Sequence, residues 1–182
     1  EDLRDLIRSG LLSFPVTPFD CEGAFNPHAF AAHLEWLSPH KIAGLIVAGG
    51  TGELFSLAPA EVIDVVKTAR VVQPTKPVIA GCGYGTRMAC DMAQQIEAAG
   101  GDGILLLPHY LINAPQDGIA AHIRAVCNST QMGVIIYNRG HSVVSAETLE
   151  QLVDQWLPHP PAGPVWPAYG RMGVTPMILT RQ

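Results

Sequence analysis

Gly49-Gly50-Thr51-Gly52-Glu53 follows directly on an apolar run, and its clustered glycines let backbone amides approach an anion while Thr51 adds a hydroxyl donor. Two further groups stand in the same relation to an apolar run: Pro108-His109-Tyr110, and Tyr137-Asn138-Arg139, whose guanidinium suits a carboxylate. The chain has three lysines: Lys41 and Lys76 precede the second and third of the apolar runs, and Lys67 lies on the polar side of a segment with helical spacing. Glu53 reads as a brace for the segment after it rather than as a base. His109 and Cys82 have no metal-ligand partner at recognisable spacing, so both read as structural and no metal site is expected. Gly81-Cys82-Gly83-Tyr84-Gly85 has the spacing G-x-G-x-G instead of G-x-G-x-x-G, with no ribose-binding acid after the next strand, and carries only a weak nucleotide-binding reading.

The elements that must position these groups alternate. Short apolar runs at Leu11 to Val16, Leu45 to Ala48, Val78 to Ala80, Ile104 to Leu107 and Val134 to Tyr137 are too short for helices and lack polar alternation. They read as strands buried on both faces. Between them, Val62, Val65, Val66, Ala69 and Val72, then Ala89, Met92, Ala93 and Ile96, then Ile119, Ile123, Val126 and Cys127 recur at helical spacing. Pro59 with Glu61, and Gly100-Gly101, are start and stop signals. A further helix is expected at Thr148 to Leu157, and Glu1 to Ser9 has a helical pattern. The fold class is α/β, with about five parallel βα units of roughly 30 residues each. Periodicity allows either part of an eight-stranded barrel or an open doubly wound sheet. A complete barrel needs about 250 residues, so the chain is expected to be an incomplete one.

With 48% hydrophobic and 15% charged residues, the 182-residue chain suits one globular domain with a substantial core. A net charge of -5 without a Lys/Arg cluster argues against nucleic acid and against an anionic membrane. Four cysteines, at positions 21, 82, 90 and 127, show no C-x-x-C spacing, which points to reduced thiols and a cytoplasmic setting. Nothing in the residues given marks export, and no run of about 18 apolar residues occurs, so neither export nor a membrane span is expected. From Leu157 the character changes: six prolines fall within the last 26 residues, and no acidic residue follows Asp154. Residues 1–156 are therefore expected to form the folded unit and 157–182 a tail foreign to it, in which Met177-Ile178-Leu179 could form a short strand outside the βα pattern. An ordinary proline-rich C-terminus is the plainer reading.

Together with Pro15-Val16-Thr17-Pro18-Phe19 after the first strand, the groups at the strand ends resemble the dihydrodipicolinate synthase and N-acetylneuraminate lyase family of Schiff-base aldolases and dehydratases, from about Gly10 to Leu152. Within it, Ala48 to Glu53, Leu105 to Leu111 and Tyr137 to Arg139 are most similar to the 5-dehydro-4-deoxyglucarate dehydratase branch. The aldolase branch usually carries a threonine in place of Gly50. The resemblance implies a TIM barrel, no cofactor, and a keto-acid or keto-diacid substrate that condenses with a lysine on the sixth strand. It implies that Tyr137 moves protons to and from the Schiff base, that Thr51 and the amides around Gly50 hold the carboxylate beside the keto group, and that Tyr110 lies at a subunit contact near the site. Arg139 suits the distal carboxylate of a diacid, or a plain surface ion pair. Intact members are expected to be homo-oligomers.

The family's lysine is expected in a Gly-Phe-Lys-Asp type segment some two dozen residues after Tyr137, where this chain reads Trp156-Leu157-Pro158-His159-Pro160. The expectation is an inactive product of a shifted, mis-spliced or decayed reading frame, with the edge of the fifth strand and the inner faces of incomplete layers exposed. The rival is a non-catalytic binding or regulatory protein that keeps the carboxylate pocket.

Overall fold

The computed structural model describes residues 3, 7, 10–107, 113–139, 143–156 and 176–179. Its strands are β1 (Leu11–Ser13), β2 (Ile42–Val47), β3 (Val78–Cys82), β4 (Gly103–Leu106), β5 (Gly133–Tyr137) and β6 (Pro176–Leu179). Helices α1 (Pro27–Leu37), α2 (Pro59–Val72), α3 (Thr86–Ala98), α4 (Gln116–Ser129) and α5 (Ala146–Trp156) follow the first five strands in turn. The sheet order is β1-β2-β3-β4-β5-β6, with β1 to β5 mutually parallel. A doubly wound sheet reverses its strand order at a switch point. This order never reverses, and the sheet is the curled half of a barrel.

β1 stops at Ser13, before Pro15, which has no amide hydrogen to donate to a ladder. Asn26 caps α1, its side chain accepting from the Ala29 amide at 3.0 Å, with Pro27 in the first turn. At the start of α2, Glu61 accepts from the Ala58 amide at 2.8 Å and from the Phe25 amide at 2.8 Å, which ties the helix to the segment ahead of α1.

Two apolar layers flank the sheet. The outer one packs the helical stripes, among them Val62, Val65, Val66, Ala69, Met92, Ile96, Ile123 and Val126, onto Leu45, Val47, Ala80, Ile104, Leu106, Val134 and Ile136. The inner one consists of Leu3, Ile46, Ile79, Leu105 and Ile135, with Ile7, Leu12 and Tyr137 against it. Side chains two apart on a strand share a face, so β2 to β5 each present one glycine and one large residue inward: Gly44 and Ile46, Gly81 and Ile79, Gly103 and Leu105, Gly133 and Ile135. Small and large residues thus alternate in the interior, as they do in the layers of a filled barrel.

Two expectations about exposure are corrected. The inner layer is buried, Ile46, Ile79, Leu105 and Ile135 having at most 4% of their surface accessible. Leu3 fills the amino-terminal mouth so closely that a Cβ on Gly103 would lie 2.5 Å from its Cδ2. The edge of β5 is not free either, because β6 pairs with it antiparallel, Pro176 opposite Tyr137 and Leu179 opposite Val134. The tail outside 176–179 lies beyond the described residues. On the other side, β1 pairs with β2 alone among the described residues, and Leu11, Phe14 and Val16 are exposed there.

The amino-terminal mouth is held by polar contacts. Arg70 on α2 binds the Asp102 carboxylate and the Gly100 carbonyl at 2.9 Å, and Asp102 accepts from the Val78 amide at 2.8 Å. These bonds fix α2, β3 and β4 to one another, well away from the chemistry-bearing loops.

Candidate active site

The carboxyl-terminal mouth begins with the loop after β2. Ala48 takes a left-handed conformation with φ 47°, which turns the chain inward over the half-barrel. Gly49 then lies over the inner layer, its would-be Cβ 3.5 Å from Ile46 and 3.7 Å from Leu105. Two glycines are required by the close approach of backbone. A Cβ on Gly81 would come within 1.9 Å of the Ala48 carbonyl oxygen, and one on Gly52 within 2.8 Å of the Ala48 nitrogen. The loop is closed by amides of Leu54 to Gly49 O at 3.1 Å and of Glu53 to Gly50 O at 3.2 Å. The buried Thr17 hydroxyl donates to Gly52 O at 2.7 Å and so ties the loop after β1 to it.

Gly50 and Thr51 remain at the exposed tip. Neither their amides nor the Thr51 hydroxyl has a hydrogen-bond partner among the described residues, and a Cβ on Gly50 would meet nothing within 4 Å. Open donors on a loop fixed from behind are what anion binding needs. Glu53 turns away from this role: its carboxylate accepts from the Ser56 hydroxyl at 3.1 Å in the short 3-10 turn Leu54–Ser56.

Across the mouth, Tyr137 ends β5 on the inward face, half-buried against the inner layer. Arg139 is exposed and its Nη1 donates to the Tyr137 hydroxyl at 3.2 Å. It has no carboxylate partner among the described residues, which removes the surface ion-pair reading for those residues. Asn138 Oδ1 accepts from the Val144 amide at 2.7 Å, and Gln116 holds the Val143 carbonyl and the Ser145 amide, each at 2.8 Å. Ser145 in turn caps α5, accepting from the Thr148 amide at 3.2 Å. That amino-terminal turn also keeps the Glu147 carboxyl below its ordinary range, through the Glu147 backbone amide and then the Ser145 hydroxyl.

The loops after β2 and β5 thus both lie at the carboxyl-terminal mouth, whereas His109 and Tyr110 lie outside the described residues. All three lysines lie elsewhere. Lys76 reaches the Ile42 carbonyl at 3.4 Å at the start of β2, Lys41 immediately precedes that strand, and Lys67 pairs with Asp64 at 3.2 Å on the surface of α2. The position beside β5 is filled by Pro176–Leu179, none of which is a lysine.

Cys82 is buried with its thiol donating to the Ala89 carbonyl at 3.3 Å, and burial, reinforced by Cys90 nearby, pushes it up to about 12. Such a thiol is inert. Tyr84 is raised by burial, and its hydroxyl donates to the Leu54 carbonyl at 3.0 Å, so the G-x-G-x-G segment braces the loop after β2. Among the described residues no three His, Cys, Asp or Glu side chains gather as a metal site, and no helix is long and apolar enough to cross a membrane. None of the four cysteines is in a disulfide.

A non-reversing run of five parallel strands, each followed by a helix and curled over an apolar inner layer, is the half-barrel of a TIM-barrel-type protein. The chain belongs to the Dihydrodipicolinate synthetase family, whose sequence pattern matches residues 8–156. It is 52% identical over 153 residues to a protein of Allorhizobium ampelinum named "Probable 5-dehydro-4-deoxyglucarate dehydratase", and 53% identical over 154 residues to one of Rhizobium meliloti with the same name. These matches cover 84% and 85% of this chain but only 51% of each relative, so the chain spans about half the length of the curated relatives it matches. The crystal structure of dihydrodipicolinate synthase from Agrobacterium tumefaciens is similar with a TM-score of 0.78 at 29% identity, over 84% of this chain and 52% of that one.

Proposed function

We propose that this chain carries part of a 5-dehydro-4-deoxyglucarate dehydratase site that binds a 2-keto-diacid, and that the 182-residue polypeptide does not turn it over. The observation that carries the reading is the bond from Arg139 to Tyr137 at 3.2 Å, which sets a cation and a phenol side by side at the mouth. In this reading the open donors of Gly50 and Thr51 take the carboxylate next to the keto group, and Arg139 takes the distal one. Tyr137 is the proton carrier for a Schiff base, which draws electrons from the adjacent carbon and so makes water loss and decarboxylation accessible. That imine needs a lysine amine at the mouth, and Lys41, Lys67 and Lys76 are all remote from it. Gly50, where the aldolase branch usually has a threonine, favours the dehydratase over the aldolase reading.

Residues 1–156 are the family unit in this account and 157–182 a tail outside it. Free thiols fit a reducing, cytoplasmic compartment. A subunit contact through Tyr110 and a homo-oligomer belong to the intact family member. The test is a thermal melt with 5-dehydro-4-deoxyglucarate alongside an assay of released CO2. The expected result is a ligand-dependent rise in Tm without CO2, and a smaller rise for Arg139→Ala. Release of CO2, or a Tm that ignores the ligand, contradicts the proposal.

A further inference from the structure

Arg139 is exposed, and an exposed guanidinium selects a second carboxylate only if its backbone is fixed. The loop that carries it is gripped at three consecutive residues. Gln116, the first residue of α4, uses both ends of its carboxamide: Nε2 donates to the Val143 carbonyl and Oε1 accepts from the Ser145 amide, each at 2.8 Å. Between them, the Val144 amide donates to Asn138 Oδ1 at 2.7 Å. Asn138 lies between Tyr137 and Arg139, so the same bond that grips the loop also fixes the peptide linking phenol to guanidinium. The carboxamide of Gln116 can make both of its bonds because its nitrogen donates and its oxygen accepts. Gln116 moreover comes from the βα unit before the one it holds, which couples the two units at the mouth.

We propose that Gln116 and Asn138 are positioning residues for Arg139, and that their clamp sets the preference of the site for a 2-keto-diacid over a 2-keto-monoacid. The inference rests on the keto-diacid reading above. Gln116 touches neither the substrate nor the reacting atoms; it acts through the loop. A clamp that served only to start α5 would change stability and leave ligand preference alone.

The experiment is calorimetric titration of the 182-residue chain with 2-oxoadipate and with 2-oxohexanoate, which has the same carbon chain and one carboxylate fewer. The wild-type chain binds the diacid more tightly. Gln116→Met, which keeps the volume and removes both bonds, and Asn138→Ala each lower the ratio of the two affinities about fivefold, the worth of one hydrogen bond. The 2-oxohexanoate affinity stays unchanged in both. A ratio equal to wild type in either folded variant overturns the inference and leaves the clamp as a cap for α5. Equal binding of the two acids by the wild-type chain, or binding of neither, sinks the keto-diacid reading itself.

Discussion

Cys82 and Tyr137 both end strands, yet their surroundings give them opposite characters. Cys82 points outward into the helix layer, where burial holds its thiol neutral up to about 12, while Tyr137 points inward to the open mouth. Iodoacetamide at pH 8 should therefore label the exposed Cys21 in the native chain and leave Cys82 unlabelled, as peptide mass mapping reads directly. The thiol also makes stability depend on pH. Between its ordinary value of 9.0 and about 12, the unfolded chain has lost the proton that the folded chain still holds. Stability therefore falls with rising pH across that window. Urea unfolding of Cys82→Ala from pH 9 to 11 should show a shallower fall than wild type, and parallel curves would contradict the assignment. At this scale the placement of Thr51, Tyr137 and Arg139 at the carboxyl ends of strands was legible, because each ends or closely follows an apolar run in the sequence. Thr17 and Gln116 were not. Their partners, Gly52 and Ser145, lie 35 and 29 residues away, and only the packing of neighbouring units brings them together.

Between β2 and β3, contact is set by the absence of a side chain. Gly81→Ala would drive a Cβ into the Ala48 carbonyl and should cost about 3 kcal/mol. Gly50→Ala, at a tip with nothing in reach, should stay within about 0.5 kcal/mol of wild type. Urea denaturation compares the two, and equal midpoints would mean that the close approach does not exist. β6 makes the second test. Ile178→Pro removes a ladder donor from the strand that covers β5, so the Val134 to Ile136 amides should exchange hydrogen faster, with little change in β3. Unaltered exchange would show that β6 does not seal that edge. The stripes of α2, α3 and α4 were legible because three-to-four spacing reports burial directly, and Val62, Val65, Ala89, Met92, Ile119 and Ile123 are all buried. α1 buries only Phe30 and Leu34, too sparse a stripe to stand out, although Asn26-Pro27 marks its start. The strand at Met177-Ile178-Leu179 was legible, but its antiparallel pairing with β5 was not, because the partner lies far back in the chain.

For the whole molecule, strand order decided what periodicity had left open. Sequential parallel pairing from β1 to β5 makes a half-barrel, and an apolar inner layer, with Leu3 set into it, keeps that half from being hollow. The family match ends at residue 156, and the only part of the tail beyond it among the described residues is the strand lying where a sixth parallel strand would continue the barrel. That strand brings no amine to Tyr137. On the proposed reading, this 182-residue chain binds a keto-diacid but lacks the lysine that would make it react. Intact mass after incubation with 2-oxoadipate and sodium borohydride tests it most directly, since reduction makes any lysine imine permanent. The mass is expected to stay unchanged at ligand concentrations that raise the Tm. A gain of one reduced 2-oxoadipate, mapped to Lys41, Lys67 or Lys76, would contradict it.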